Sequence, residues 1–369
     1  MRIGIDIKST LKRKTGIGYY TFNLISHLAR IDTVNNYFLY SRIKFLNRKK
    51  KLPLLPGDNF SHKVNRFNLP LDLVIGKVDV FHTSSYNISP PKNSKLVVTI
   101  HDVIYKAYPR GHSRETREEI DKNLKQILKR ADMLIAVSET TKMDVLKWYS
   151  VPAEKIKVVY SGANQQISKI EKSNTLFDRL KEKYSISDRF LLFVGTIEPR
   201  KNIEGLIKAY QILKAEHKLP HQLVIVGMKG WGYERVFDLI KTYGLEKEVI
   251  FTDYIPSESR DLNLFYNFAE ILVYPSFYEG FGFPIVEAFK CGLPVITSNT
   301  SSCAEVAGNA AVLINPNNSG EIVKAVLKIV NDVDLKNQLR VKGLIRSGFF
   351  SWEKAARETL EVFSEVCSA

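Results

Sequence analysis

Long apolar segments and paired cysteines are both missing from this chain of 369 residues. It has no run of about eighteen apolar residues, so the sequence predicts no membrane-spanning helix. Residues 1–7 are typical of a first core strand and lack the longer apolar stretch and cleavage site of a signal peptide. Cys291, Cys303 and Cys367 form no CxxC pair and are odd in number. We therefore expect reduced thiols in a cytoplasmic protein.

Metal-ligand and nucleic-acid motifs are also scarce. The sequence Asp332-Val333-Asp334 imitates a DxD metal motif, but it lies between two helix-like stretches and far from any predicted strand end. That position favours helix capping over metal binding. No other cluster has metal-ligand spacing, and no recognisable nucleic-acid motif is present. The sequence therefore predicts neither a bound metal nor a nucleic-acid partner.

Positive charge dominates, with a formal net charge of +15 at pH 7. Basic residues concentrate between Arg42 and Lys51, where apolar residues interrupt the charges. Such a run can contact anionic lipid headgroups, face nucleic acid or form a solvated loop. The membrane surface and the solvated loop are the favoured interpretations, because no nucleic-acid motif accompanies the run.

Apolar strand-like runs alternate with helix-like stretches in two series, separated by a polar stretch near residues 168–174. This alternation predicts parallel sheets with helices on both faces, and hence an α/β fold of two domains. We expect the first domain at residues 1–172 and the second at 173–349. The predicted strands are 2–7, 36–40, 78–82, 96–100, 133–137 and 157–159, then 190–194, 222–226, 249–252, 271–274, 294–297 and 311–314. The predicted helices include 18–29, 114–129 and 139–149, then 203–216, 234–243, 260–267, 284–290 and 319–330.

The most informative segment runs from Glu279 to Glu287, two carboxylates eight positions apart. A strand-like run precedes it and a helix-like run follows, with Pro284 suited to the first helical turn. The loop between them is Gly280, Phe281, Gly282 and Phe283. Its backbone N–H groups would lie at the positive end of a helix, which is an anion site. Carboxylates for hydroxyl groups and N–H groups for phosphate together suit a nucleotide sugar.

Three further loops follow predicted strands, where ligands of parallel sheets bind. Arg200 and Lys201 precede a helix, so the two cations can neutralise a diphosphate without a metal. His101 and Asp102 leave an apolar strand together and can face a sugar and orient an acceptor hydroxyl. A histidine packed near the core and an aspartate that caps a helix explain that pair equally simply. Gly16 allows either a close backbone approach to a ligand or a plain tight turn.

Two weaker signals also follow strands. Residues 227–232 contain three glycines, and form either a second glycine loop near the donor or a structural turn in which Trp231 packs against the domain. The backbone of Tyr254 and Ile255 can hydrogen-bond the edge of a nucleotide base. Both segments extend the candidate site along the same edge of the second sheet.

These loops, in this order, resemble the retaining glycosyltransferases of the GT-B fold, and within them family 4. The segment from Glu279 to Glu287 is similar to the family's EX7E signature, and residues 194–202 are similar to a VGT-x-EPRKN block of many bacterial members. Residues 297–308 and 350–356 resemble the stretch after the signature and the closing helix. The resemblance implies two Rossmann-like parallel-sheet domains facing across a cleft, with the helix 350–369 packing back on the first domain.

The resemblance also implies residue roles in binding the donor. Glu287 would hold the ribose hydroxyls, and Glu279 would hold hydroxyls of the donor sugar, aided by the N–H groups around residues 281–283. Arg200 and Lys201 would bind the diphosphate. Many relatives carry an arginine immediately after the glycine of the 194–202 block, where this chain has Thr196. That departure leaves phosphate binding to Arg200 and Lys201.

In the N-terminal half, Gly16 would let its loop reach the phosphate or the acceptor, and His101 would face the sugar. The implied reaction transfers a sugar from a nucleoside diphosphate to an acceptor hydroxyl with retention at the anomeric carbon, without a cofactor or metal. Same-face attack explains retention, with the departing phosphate taking the acceptor's proton. A double displacement through Glu279 or Asp102 is the rival mechanism.

Donor and acceptor follow from the same resemblance. The 194–202 block and the Ser298-Asn299 pair are most similar to bacterial mannosyltransferases that use GDP-mannose, while UDP- and dTDP-sugars stay open. A glycan or lipid-linked oligosaccharide acceptor at the inner face of the membrane would suit the basic run. The alternatives are a GT-B nucleotide-sugar epimerase, a phosphorylase, or a non-catalytic sugar-binding module.

Overall fold

A computed structural model describes residues 1–11, 16–43, 52–111, 113–256 and 258–368. The chain forms two compact units, Met1–Gly162 with Ser351–Ala369, and Ala163–Phe350. The first boundary therefore lies ten residues before the predicted position at 172/173. The physical reason is that residues 163–172 are bonded to the second unit. There, Ser168 N donates to Asn263 Oδ1 over 3.0 Å, and Ile170 N donates to Asn267 Oδ1 over 3.1 Å.

The first unit is built on a seven-stranded parallel sheet with the strand order β3-β2-β1-β4-β5-β6-β7. Its strands are β1 Arg2–Asp6, β2 Asn36–Arg42, β3 Phe60–Asn65, β4 Val80–Thr83, β5 Lys95–Ile100, β6 Met133–Ala136 and β7 Ile156–Val158. Its helices include α1 Ile17–Ile31, α2 Leu71–Ile75, α3 Ile104–Ala107, α4 Arg114–Arg130 and α5 Glu139–Trp148.

Strand β3 was not predicted from the sequence. It lies at the edge of the sheet and is only partly buried between its first and last residues. Its mixture of polar and apolar side chains lacks the apolar run or strict alternation that marks a strand. Pairing with β2 over the whole of its length, from Phe60 to Asn65, is what makes it a strand.

The second unit contains a six-stranded parallel sheet with the order β10-β9-β8-β11-β12-β13. All six strands were predicted, because central parallel strands are continuous apolar runs. They are β8 Phe190–Val194, β9 Gln222–Val226, β10 Val249–Phe251, β11 Ile271–Tyr274, β12 Val295–Ser298 and β13 Val312–Ile314. The helices are α6 Asn174–Tyr184, α7 Ile203–Ala215, α8 Glu234–Thr242, α9 Arg260–Phe268, α10 Phe283–Lys290, α11 Ser301–Ala307, α12 Ser319–Asn331 and α13 Val333–Ser347.

The last helix, α14 Trp352–Ser368, belongs to the first unit and packs on α1. Its apolar face includes the buried Trp352, Ala356 and Phe363. The Trp352 ring meets the Tyr20 ring edge-on, with 5.6 Å between centroids. The chain therefore passes between the units twice, at 162/163 and at 350/351.

The described residues bear on two predictions, that the chain has no membrane-spanning helix and no metal site. Among these residues, no helix is both long and apolar enough to span a membrane, and no group of three acidic, histidine or cysteine side chains could hold a metal ion. Asp332 accepts a hydrogen bond from Leu335 N over 2.8 Å and caps α13, so the capping interpretation of the DxD sequence is confirmed. All three cysteines are free thiols.

Candidate active site

The segment between β11 and α10 has the predicted strand, loop and helix. Strand β11 ends at Tyr274, and α10 begins at Phe283 with a proline in its first turn. Gly282 precedes the helix with φ of 101°, in the left-handed region that favours glycine. No N-cap side chain bonds the start of α10, and the positive end of its helix dipole favours an anion there.

The Glu279 carboxylate binds two cations at once. Its Oε2 accepts a hydrogen bond from Arg200 Nη1 over 2.6 Å, and its Oε1 accepts one from Lys201 Nζ over 2.6 Å. The Tyr274 hydroxyl donates to the same Oε1 over 2.9 Å. Glu279 is 7% exposed and Lys201 is 8% exposed, so water barely screens these ion pairs. The structure thus brings together three residues that the sequence placed on two separate loops.

Charge, rather than burial, sets the ionisation of this cluster. Burial raises the pKa of Glu279, but the charges of Arg200 and Lys201 outweigh it and hold the pKa at about 2. Burial and the neighbouring guanidinium lower the pKa of Lys201, while Glu279 opposes that shift. Glu279 is therefore a carboxylate at any physiological pH, and both of its oxygen atoms already accept hydrogen bonds.

The loop after β8 positions the two cations. A short 3-10 turn, Pro199–Lys201, follows the strand and leads into α7. Arg200 Nη1 also donates to Tyr278 O over 2.9 Å, and its Nη2 donates to Glu198 Oε1 over 2.5 Å. Asn202 then bonds the carbonyls of Pro275 and Pro316 through its Nδ2. These contacts fasten the β8 loop to the loop that carries Glu279.

Glu287 has a different environment, although it is equally buried. It lies on α10 and accepts a hydrogen bond from the Tyr266 hydroxyl over 2.7 Å. Burial raises its pKa to about 7, against smaller opposing effects of Tyr266 and Lys290. The two glutamates of the motif therefore differ in charge near neutral pH, since Glu279 accepts hydrogen bonds from two cations, whereas Glu287 accepts one from a neutral hydroxyl.

Hydroxyl groups at the end of β12 and in the residues that follow it hold the Glu279 loop in place. Ser301 Oγ accepts from Glu279 N over 3.1 Å, and Ser302 Oγ donates to Glu279 O over 2.8 Å. Ser298 Oγ and Thr297 Oγ1 donate to the carbonyls of Ser276 and Tyr274. Both main-chain groups of Glu279 are thus held in place, which explains why a Thr-Ser-rich stretch follows the signature.

The glycine loop after β9 lies directly against the β8 loop. Gly195 N donates to Val226 O over 2.9 Å, and Ile197 N donates to Met228 O over 2.9 Å. A β-carbon at Gly227 would lie 1.9 Å from Gly195 O, and Gly227 has φ of 159°. No other residue fits there, so this glycine is required by the close approach of two backbones. Trp231 is 46% exposed and so does not pack against the domain as the structural-turn interpretation expects.

Tyr254 and Ile255 follow the edge strand β10. Ile255 is buried and Tyr254 is half-buried. Gly227 N donates to Asp253 O over 3.1 Å, so the β10 loop adjoins the glycine loop. The loops after β8, β10 and β11, together with α10, therefore carry the candidate donor-binding residues of the second unit.

In the first unit, His101 and Asp102 directly follow β5. The His101 ring meets the Tyr20 ring edge-on at 4.8 Å, and its buried Nε2 has no hydrogen-bond partner among the described residues. Burial, with a smaller effect of His82, lowers the pKa of His101 to about 3, so the ring is neutral. Asp102 Oδ1 accepts from Ile104 N over 3.1 Å, but the N-cap of α3 is Val103, so Asp102 lies one position before the cap.

Two predicted features lie partly outside the described residues. Gly16 precedes α1 with φ of 43°, and a β-carbon there would have nothing within 4 Å. The rest of its loop, residues 12–15, is outside the described ranges, as are residues 44–51 of the basic run. Of that run, Arg42 is described and is exposed at the end of β2.

Sequence reasoning missed several residues that shape the site. Glu198 and Asn202 lie within the 194–202 block, and Tyr274 ends the strand before the signature, so their position in the motifs could have identified them. Tyr266 lies in the last turn of α9, and no sequence pattern marks it as the partner of Glu287. Its role exists only because α9 packs against α10.

Two family models match this chain. The model described as glycosyl transferases group 1 matches residues 177–344, and the model described as glycosyltransferase family 4 matches residues 15–166. Together they span most of both units. The chain belongs to glycosyltransferase family 4.

Relatives of this glycosyltransferase include mannosyltransferases. It is 28% identical over 372 residues to the O-antigen chain mannosyltransferase B of Escherichia coli, covering 95% of this chain and 96% of the relative. It is 31% identical over 291 residues to the serotype-specific mannosyltransferase WbdA of Escherichia coli, covering 77% of this chain but 36% of the relative.

Solved structures show the same fold. The sucrose-phosphate synthase of Thermosynechococcus elongatus aligns with a TM-score of 0.78 at 20% identity, covering 100% of this chain and 99% of that one. The glycosyltransferase therefore has the GT-B fold, with one Rossmann-like parallel sheet in each unit.

Proposed function

We propose that this glycosyltransferase transfers mannose from GDP-mannose to a hydroxyl group of a glycan or lipid-linked acceptor, with retention at the anomeric carbon. The observation that carries the proposal is the ion-pair cluster that Glu279, on the loop that leads into α10, forms with Arg200 and Lys201 on the loop after β8. It combines cations for a diphosphate, a carboxylate for sugar hydroxyls and, at the start of α10, the positive end of a helix dipole for phosphate oxygens.

Each group has a proposed task in holding the donor. Glu287 accepts hydrogen bonds from the ribose hydroxyls, and the backbone of Tyr254 and Ile255 meets the base. Arg200 and Lys201 exchange part of their contact with Glu279 for the diphosphate. These two cations can neutralise the leaving group, so we propose a reaction that needs no metal. Glu279 then holds hydroxyls of the sugar.

Same-face attack fits the environment of Glu279 better than a double displacement. A nucleophile needs an oxygen atom with a free approach to the anomeric carbon, whereas Oε1 and Oε2 of Glu279 accept three hydrogen bonds, two of them from cations. In the proposed reaction the acceptor oxygen bonds to the anomeric carbon as the bond to the diphosphate breaks. The departing phosphate oxygen takes the acceptor's proton. His101, neutral and with Nε2 unpaired among the described residues, can meet a sugar hydroxyl, and Asp102 can orient the acceptor.

The donor proposal has a direct test. We expect GDP-mannose and GDP to raise the melting temperature of the wild type, because ligands that bind the native state stabilise it, by about 2.7 kcal/mol at 100 times Kd. UDP-, ADP- and dTDP-sugars are the comparison set. With a mannoside acceptor, product NMR is expected to show an α-linked sugar, and EDTA is expected to leave the rate unchanged. Stabilisation by a different nucleotide alone would disprove the GDP-mannose assignment, and a β-linked product would disprove retention.

We also propose that the protein contacts the surface of an anionic membrane, where a lipid-linked acceptor would lie. Beyond the basic run in the sequence, several described residues expose large apolar side chains, with Leu54 94%, Phe67 71% and Leu73 73% exposed. A segment of the chain that carries both cations and exposed apolar side chains has the composition of a surface that binds anionic lipid.

The membrane proposal predicts a charge-dependent sedimentation. Wild-type protein is expected to sediment with phosphatidylglycerol vesicles at low salt, whereas a variant with glutamine at Lys49, Lys50 and Lys51 is not, since each cation contributes about 1 kcal/mol. The matched control replaces three exposed lysines of the second unit, Lys324, Lys328 and Lys342. Equal sedimentation of the two triple variants would show that the basic run is only a solvated loop.

A further inference from the structure

The donor-binding segment, residues 279–287, and the end of α10 that follows it contact both places where the chain passes between the units. At its beginning, the ring of Phe281 meets the ring of Phe350 edge-on, with 5.6 Å between centroids and an interplanar angle of 82°. Phe350 is the last residue of the second unit before the chain returns to the first. Both rings are buried, so the contact belongs to the core beneath the loop.

Beyond the other end of the segment, Lys290 at the end of α10 makes the second contact. Its Nζ donates to Asn164 O over 2.7 Å. Asn164 is the second residue of the chain after it enters the second unit. Lys290 lies three positions after Glu287 on α10, and therefore on the same side of the helix. One short segment is thus tied to both crossings.

The two crossings are also tied to each other. Ala163 N donates to Phe350 O over 3.3 Å, which joins the residues on the second-unit side. On the first-unit side, a β-carbon at Gly162 would lie 2.3 Å from Trp352 N, so the two backbones are in close contact. Arg346 holds the second crossing from α13, with its guanidinium 5.2 Å from the Phe350 ring and its Nη2 donating to Glu305 O over 2.7 Å.

We propose that Phe350 is a positioning residue for the transfer reaction. It links the occupancy of the donor-binding segment to the conformation of the chain at the two crossings. A nucleotide that settles against residues 279–283 presses on Phe281, and Phe281 transmits the change to Phe350 and through its carbonyl to Ala163. Lys290 provides the parallel link from the helix that carries Glu287. This inference rests on the proposed function only in taking residues 279–287 as the donor-binding segment.

The first measurement separates binding from turnover. In Phe350→Leu we expect the Kd for GDP to stay near the wild-type value, while kcat falls roughly tenfold, a typical size for coupling between sites. Phe350→Tyr keeps the ring and is expected to restore kcat. The matched control is Phe349→Leu, whose ring also packs on Arg346 but is 57% exposed and has no described contact with Phe281. It is expected to behave as the wild type.

Hydrogen exchange gives a readout that a purely structural role would not change. With GDP or UDP as probe, the amide of Ala163 and the peptide covering residues 346–353 are expected to exchange roughly tenfold more slowly in the wild type. Phe350→Leu is expected to bind the nucleotide without this protection. A wild-type kcat in Phe350→Leu, or protection equal to that of the wild type, would overturn the coupling and leave the proposed function intact. Failure of the wild type to bind either nucleotide would overturn both.

Discussion

Replacing Glu279 with glutamine is expected to lower kcat by about 10²- to 10³-fold, because the sugar loses its hydroxyl acceptor and the two cations lose the charge that positions them. The variant also leaves Lys201, which is almost fully buried, without a counter-charge. Breaking a buried pair by neutralising one partner costs about 3–5 kcal/mol of unfolding free energy. Steady-state kinetics and denaturant unfolding measure the two effects separately.

The control for Glu279 is the other carboxylate of the cluster. Glu198→Gln removes one contact of Arg200 but leaves both bonds of the cations to Glu279. We expect the fold-decrease in kcat of Glu198→Gln to be less than a tenth of that of Glu279→Gln.

The wild type can test the rival mechanism. In a double displacement, a donor with a slow second step would accumulate a covalent sugar on Glu279. Detection of that adduct by mass spectrometry would refute same-face attack.

The stability effect of Glu279 has a defined pH window. Its folded pKa of about 2 lies below the ordinary value of 4.5. The unfolded chain therefore takes up the proton first as the pH falls, so the stabilising contribution is complete above pH 4.5 and is lost towards pH 2. The difference in unfolding free energy between the wild type and Glu279→Gln should shrink over that range.

Replacing Glu287 with glutamine is expected to have the opposite effect on stability and still to impair function. The folded pKa of about 7 lies above the ordinary value of 4.5. Between these values the unfolded chain has lost the proton and the folded chain keeps it, so wild-type stability falls as the pH rises from 4.5 to 7. Above pH 7 the full cost remains, about 3 kcal/mol. Glutamine can still accept the Tyr266 hydrogen bond and removes this cost.

Denaturant unfolding at pH 5 and pH 8 checks the prediction for Glu287. The variant should exceed the wild type by a small margin at pH 5 and by about 3 kcal/mol at pH 8. Glu182→Gln, at an exposed position of α6, is the control, because it has no burial to relieve and should give the same difference at both values. A stability gain that does not change with pH would contradict the role of the buried charge.

Function provides the second readout for Glu287. Hydrogen bonds from ribose hydroxyls to a carboxylate contribute about 1.5–3 kcal/mol, so the variant should weaken GDP binding by roughly 10- to 100-fold. In the wild type, affinity should rise as the pH increases through 7 and the carboxylate ionises, and this dependence should vanish in the variant. A more stable protein that binds the nucleotide as well as the wild type would refute the anchor role of Glu287.

The motifs and core strands could be predicted from the sequence because they depend on residues that are close together along the chain. The central strands of the second unit are continuous apolar runs, and all six were predicted. The loop before α10 was predicted because glycines followed by Pro284 determine local backbone geometry. Strand β3 escaped prediction because its pairing with β2, rather than its own pattern, makes it a strand. The unit boundary was misplaced because distant side chains, Asn263 and Asn267, bind residues 168–170.

The sequence by itself determined the family, the alternation of strands and helices, and the loops that hold Arg200, Lys201, Glu279 and Glu287. Only the tertiary structure decided the charge states of the two glutamates. Both are glutamates of one motif and both are buried, but Glu279 lies against two cations from another loop, whereas Glu287 lies against the Tyr266 hydroxyl. A pKa depends on burial and on charges within a few ångströms, and those neighbours come from residues far away in the sequence.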